Sequence, residues 1–128
     1  MNEINKLTES IIGTAIRVHR EPGPGLLESA YEACLAYELA EQGLTVERQK
    51  PLPLIDRGIT IECGYRIDLL VENAVVVELK TVDKILPIHE AQLLSYLKVS
   101  GCIVGLIINF NVVVLRDGIR RIVNGPLE

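Results

Sequence analysis

A run of β-branched residues that ends in an acid and an amine, Ala74 to Leu79 followed by Lys80, is the first place where this sequence could do chemistry. Side chains two apart on a strand share a face, so Glu78 and Lys80 project together beside valines that must be buried. Putting both there is costly unless something uses them, although alone the pair reads more simply as a solvated ion pair. Asp68 lies upstream in a second apolar run, Ile67-Asp68-Leu69-Leu70-Val71. It opposes Glu78 only if the intervening hairpin is centred on Asn73, with an odd loop such as Glu72-Asn73-Ala74. A two-residue turn at Glu72-Asn73 would instead set Asp68 against Val77, on the other face. In the first register the two carboxylates have Cβ atoms ~5 Å apart. At an effective dielectric of ~20 they repel by roughly 3 kcal/mol. A divalent cation turns that repulsion into attraction, and oxygen donors suit a hard ion, Mg2+ or Mn2+.

Two further groups of residues could join the pair. Glu28 and Tyr31 are three apart, hence neighbours on one helix face; an acid in a first turn also simply favours the helix dipole. Downstream, His89, Gln92, Leu93 and Tyr96 form one helical stripe, in which Gln92 and Tyr96 can hydrogen-bond a phosphate or hold a lysine. His89-Glu90 is no zinc-protease motif, because Leu93 stands where the second histidine is required.

The elements that must position these groups follow from periodicity. Apolar residues at Ile4, Leu7, Ile11, Ile12, Ala15 and Val18 predict an amphipathic helix over Glu3–His19. Prolines and glycines at 22–25 end it, and a second helix is expected from about Leu26 to Gln42. Strands are expected at Thr45–Lys50 (confined to an edge or interrupted by Pro51 and Pro53), Ile59–Cys63, Tyr65–Val71 and Ala74–Leu79, the last central. A third helix spans Pro87–Ser100 and a further strand Cys102–Phe110. Asn111–Arg116 and Ile119–Val123, joined by Asp117-Gly118, look like a terminal hairpin. This order implies an α/β (mixed α+β) fold, a central mixed β-sheet flanked by helices, in one domain over residues 1–128.

Composition narrows the partners. With 13 Lys+Arg against 17 Asp+Glu, the formal net charge is −4, which argues against tail-driven binding to nucleic acid but not against an enzyme that meets phosphate through metal ions. Aromatic residues are 4% of the chain, too few for an array of stacking rings. Three widely spaced cysteines without a C-x-x-C pair, and a charged MNEINKLTES start, fit a reduced cytoplasmic setting. The uncharged stretch Val99–Leu115 contains Ser100, Asn109 and Asn111 and reads as two buried strands rather than a membrane span.

Taken together, Gly25/Glu28/Tyr31, Asp68, Glu78-x-Lys80 and Gln92-x-x-x-Tyr96 resemble the PD-(D/E)XK nuclease superfamily and, more narrowly, its small GxxExxY proteins, from Gly25 to the last strands. The resemblance implies a restriction-endonuclease-like core and a metal-dependent nuclease acting on DNA more than RNA. It implies Asp68 and Glu78 as metal ligands, Lys80 beside the attacking water and Glu28 as an additional acid. Gln92 and Tyr96 would flank the site, with Tyr31 and His89 in support, and the backbone carbonyl of Leu79 could add a ligand. No proline directly precedes Asp68, a departure from the common pattern. Two other readings stay open: a non-catalytic regulatory domain that retains the scaffold and binds nucleic acid or protein, and a homo-oligomeric structural protein with the first helix as a contact.

Overall fold

The computed structural model describes residues 3–126. Two helices, α1 (Glu3–Arg20) and α2 (Glu28–Glu41), precede strands β1 (Val46–Pro51), β2 (Leu54–Asp56), β3 (Ile59–Ile61), β4 (Arg66–Val71) and β5 (Val75–Lys80). Helix α3 (Pro87–Ser100), strand β6 (Val104–Asn109), a 3-10 turn at Leu115–Gly118 and strand β7 (Ile119–Val123) follow. The main sheet has the order β1-β4-β5-β6-β7. Only β5 and β6 run parallel; the other neighbours are antiparallel.

β5 is the middle strand, as its valines require, and Val75 to Leu79 are all buried. Alternation along it separates two cores. Val75, Val77 and Leu79 pack with Ile11 and Ala15 of α1 and with Tyr31, Leu35 and Leu39 of α2. Val76 packs on the opposite face with Leu93, Tyr96 and Leu97 of α3. The helices are thus sorted by the pleat of the central strand: α1 and α2 on one face, α3 on the other. Helix α1 carries two buried threonines whose hydroxyls donate to the preceding turn, Thr8 to Asn5 O and Thr14 to Ser10 O. Thr14 also accepts from Gln42 Nε2 at 2.7 Å, tying α1 to the end of α2.

Two expectations about the strands are corrected. The terminal hairpin does not form. Residues 111–114 make no strand, Asp117-Gly118 lies in the 3-10 turn, and β7 pairs with β6. Leu115 is buried in the α1/α2 core, so the chain tucks inward there instead of continuing along an edge. The segment after Pro53 also pairs differently. Leu54–Asp56 is a strand that the two nearby prolines concealed, and it forms a separate two-stranded sheet with Ile59–Ile61. Arg57 and Gly58, both at positive φ, make the turn between them. β1 itself is an edge strand, the place its prolines demanded.

Gly118 shows how tightly the 3-10 turn is packed. A Cβ there would lie 2.4 Å from the Asn109 carbonyl oxygen, a backbone atom that cannot swing away. Gly118→Ala is expected to cost about 1–3 kcal/mol in urea unfolding. Gly13→Ala, in the middle of α1 with nothing within 4 Å of the new Cβ, is expected to stabilise by about 0.5–1 kcal/mol.

Candidate active site

The β4–β5 hairpin turns through Glu72 and Asn73, both at positive φ, with Ala74 N donating to Val71 O. The register pairs Val71 with Val75, Leu70 with Val76 and Leu69 with Val77. The loop therefore has three residues and is centred on Asn73, the alternative that brings Asp68 level with Glu78. The turn is pinned from outside, because Glu72 accepts from Thr45 N through its carboxylate and donates its own N–H to Thr45 O.

At Asp68 and Glu78 the backbone ladder stops and the side chains take over. Asp68 N–H donates to Glu78 Oε2 at 2.9 Å, and Leu79 N–H donates to Asp68 Oδ2 at 2.9 Å. β4 leaves β5 here but stays with β1 through Ile67 and Arg66, while β5 continues beside β6 as far as Lys80. The two carboxylates fill a fork between diverging strands, each anchored on the other strand's backbone. The alternation of β4 also breaks at the fork. Leu69 and Val71 face the α1/α2 core, yet Ile67 packs in the α3 core with Leu70.

Four acids surround this fork. Glu78 is 7% exposed, and its carboxyl is pushed up to about 8, chiefly by burial and then by the charge of Asp68. Burial likewise raises Asp68, against the lowering effect of the Leu79 N–H. Glu28, at the start of α2, is raised by partial burial and then by Asp68, while Lys80 pulls it down. Glu32, one turn along α2, is buried but well partnered: Arg48 Nε donates to it at 3.2 Å and Gln49 Nε2 at 2.7 Å. The same Gln49 amide nitrogen also donates to Asp68 Oδ1 at 3.2 Å. Gln49 sits opposite Asp68 where the β1–β4 ladder skips a pair, at φ 51°. A non-glycine residue is seldom held there without a local reason.

The remaining expected residues are placed as follows. Lys80 closes β5, half-buried, with Phe110 N–H donating to its carbonyl. The loop beyond it is fastened by buried Asn109, whose amide accepts from Val82 N and donates to Val82 O. Tyr31 is fully buried and stacked on Phe110 at 4.4 Å; its hydroxyl donates to Gly23 O and accepts from Leu26 N. That clamp sets the loop that delivers Glu28. Tyr96 of α3 packs with Ile67 and Leu70 of β4, and burial followed by the charges of Glu78 and Asp68 raises its phenol; Gln92, one turn earlier, is exposed. His89 is engaged elsewhere: its Nδ1 accepts from Leu86 N–H at the start of α3.

Glu32, Gln49, Arg48 and Asn109 escaped the sequence reading. Glu32 is one helical turn beyond Glu28, which is the one signal that could have pointed to it. The others carry no motif and matter only through contacts distant in sequence.

Among the described residues, no three His, Cys, Asp or Glu side chains gather into a ready cation cage. What exists is a pair of hard oxygen donors with Glu28 beside it. Glu78 Oε1 accepts no hydrogen bond from the described residues. Two carboxyls both raised by burial, Glu78 to about 8, fit a divalent cation, which would supply positive charge between them.

A mixed five-strand sheet with helices on both faces, and acids and a lysine at the diverging ends of its central strands, is a restriction-endonuclease-like core. The PD-(D/E)XK nuclease superfamily model matches residues 5–122, and the chain belongs to that superfamily. No curated protein and no solved structure matches it significantly. No helix among the described residues is long and apolar enough to cross a membrane.

The raised acids make stability depend on pH in a definite direction. Unfolded, Glu78 loses its proton near 4.5; folded, it keeps it to about 8. Between those values the folded chain binds more protons, so its stability falls as pH rises. The melting temperature of metal-free protein is expected to drop from pH 5 to pH 8. In Glu78→Gln the drop shrinks, and that variant melts higher than the parent at pH 8.

Proposed function

We propose that the chain is a divalent-metal-dependent nuclease that hydrolyses phosphodiester bonds of DNA in preference to RNA. Asp68 and Glu78 would hold Mg2+ or Mn2+, with Glu28 and the carbonyl of Leu79 as further oxygens. The supporting observation is the fork: two carboxylates kept level by cross-strand bonds, short of positive charge, with an amine on the same strand. Bound there, the ion would lower the pKa of a water and stabilise charge developing at phosphorus.

The chain's own residues do the rest. The Leu79 N–H and the Gln49 amide fix both oxygens of Asp68, so this carboxylate is oriented before anything binds. Lys80 would donate hydrogen bonds to the attacking water and to a phosphate oxygen. Gln92 and Tyr96, on α3, would contact the strand being cut beside the scissile phosphate. Arg66, exposed at the start of β4, and Lys84, exposed in the loop after β5, would meet adjacent phosphates.

A second reading, a scaffold that binds without cutting, draws support from the net charge of −4 and from where other basic residues sit. Arg120 and Arg121 lie on β7, two strands from β5, and Arg121 is bonded to Asn5.

Cleavage assays with Mn2+ on single-stranded, duplex and branched DNA and on RNA separate the readings. DNA cleavage is expected, falling about 10²-fold or more in Lys80→Ala. Mn2+ is expected to raise the melting temperature of the parent and not of Asp68→Ala or Glu78→Ala. A Mn2+-stabilised protein that cuts nothing would establish the binding reading.

A further inference from the structure

The chain has four Tyr and one Phe. Tyr31 and Phe110 are stacked in the core, but exposed Tyr65 meets the largely buried Tyr96, ring centroids 6.1 Å apart and tilted by 50°. Tyr65 lies between β3 and β4 and is 47% exposed. Its carbonyl accepts from Leu52 N–H, which fixes that stretch of backbone against the start of the sheet. Together with Leu52, Leu54, Gln92 and Ser95, the two rings line a cavity of about 140 Å³.

No charged side chain lines this cavity, so it is not built for a phosphate. It is close in size to the ~150 Å³ engineered cavity that accepts benzene, enough for one planar ring. Aromatic and aliphatic walls suit the faces of such a ring, and the Gln92 amide and Ser95 hydroxyl offer both donors and acceptors to its edge. The cavity adjoins the carboxylate fork: Tyr96 packs in one cluster with Ile67 and Leu70 of β4 and Val76 of β5, which flank Asp68 and Glu78, and Tyr65 immediately precedes β4.

We propose that this cavity is a nucleobase site, and that the preferred substrate carries an unpaired nucleotide next to the scissile phosphate. The proposal rests on the nuclease reading for its substrate class and goes beyond it. A paired base cannot enter such a cavity without leaving its stack, at a cost of a few kcal/mol. A single strand, gap or flap presents the base freely. One pair of rings at one point, rather than an array, selects a single flanking nucleotide and leaves the rest of the strand to backbone contacts. A cavity of this size favours a single-ring base over a double-ring one.

The test is binding rather than cleavage, so it stands apart from the nuclease reading. Fluorescence anisotropy measures full-length protein, with Mg2+, against short single strands that carry nuclease-resistant phosphorothioate linkages and one abasic position moved along the strand. The expected result is one position at which base removal weakens binding by roughly tenfold. In Tyr65→Ala the affinity of the intact strand falls by the same factor, and the abasic position no longer matters. Tyr65→Phe, which keeps the ring, retains parent affinity, and exposed Tyr65 can be changed without unfolding the chain. A perfect duplex binds more weakly than the single strand. A flat abasic scan, equal affinity for duplex and single strand, or Tyr65→Ala binding like the parent would each overturn the proposal, whether or not the protein cleaves DNA. A position-dependent scan from a protein that cuts nothing would support the base site and remove the nuclease.

Discussion

Two cross-strand hydrogen bonds hold the site together: Asp68 N–H to Glu78 Oε2 and Leu79 N–H to Asp68 Oδ2. Where an antiparallel ladder would have bonded backbone to backbone, carboxylates substitute for carbonyl oxygens. The strands can then part without leaving these donors unpaired, which would be costly in a buried sheet. The same substitution brings two acids together in a place that disfavours charge. Glu78 is raised to about 8 as a result. The fork is thus a structural solution to strand divergence and an electrostatic problem at the same time.

Everything around the fork serves its geometry. The left-handed pair Glu72 and Asn73 sets a three-residue loop, and one residue fewer would turn Asp68 to the opposite face. Gln49 accepts an unfavourable backbone conformation opposite Asp68, and its amide joins Asp68 to the buried Glu32, which also pairs with the half-exposed Arg48. Tyr31, wedged on Phe110, ties the glycine-rich loop that launches α2. Asn109 fastens the chain just after Lys80. Each contact is modest in energy, yet together they fix two carboxylates, an amine and a flanking acid on three different elements.

Much of this was legible in the sequence because periodicity and residue type reflect burial directly. The valines of β5 announced a central strand, and the stripe from Ile4 to Val18 announced α1. Asp68 opposite Glu78 could be stated only conditionally, since hairpin parity depends on a loop whose conformation neighbouring residues decide. Thr45, distant in the chain, bonds that loop. The terminal segment misled for a similar reason. Val112 to Val114 have β-branched side chains suited to a strand, but Leu115 is drawn into the core and the chain turns in a 3-10 helix. Gln49 and Asn109 had no signal at all: polar residues acquire a role from what tertiary structure sets beside them.

The claim beneath all of this is that the fork lacks one positive charge and holds a proton in its place. Calorimetric titration of the protein with Mn2+ at pH 7, repeated in buffers of different ionisation enthalpy, counts the protons expelled per ion bound. With Glu78 at about 8, close to one proton should leave for each ion, and none in Glu78→Gln. Binding with no proton release, or no binding at millimolar Mn2+, would contradict it.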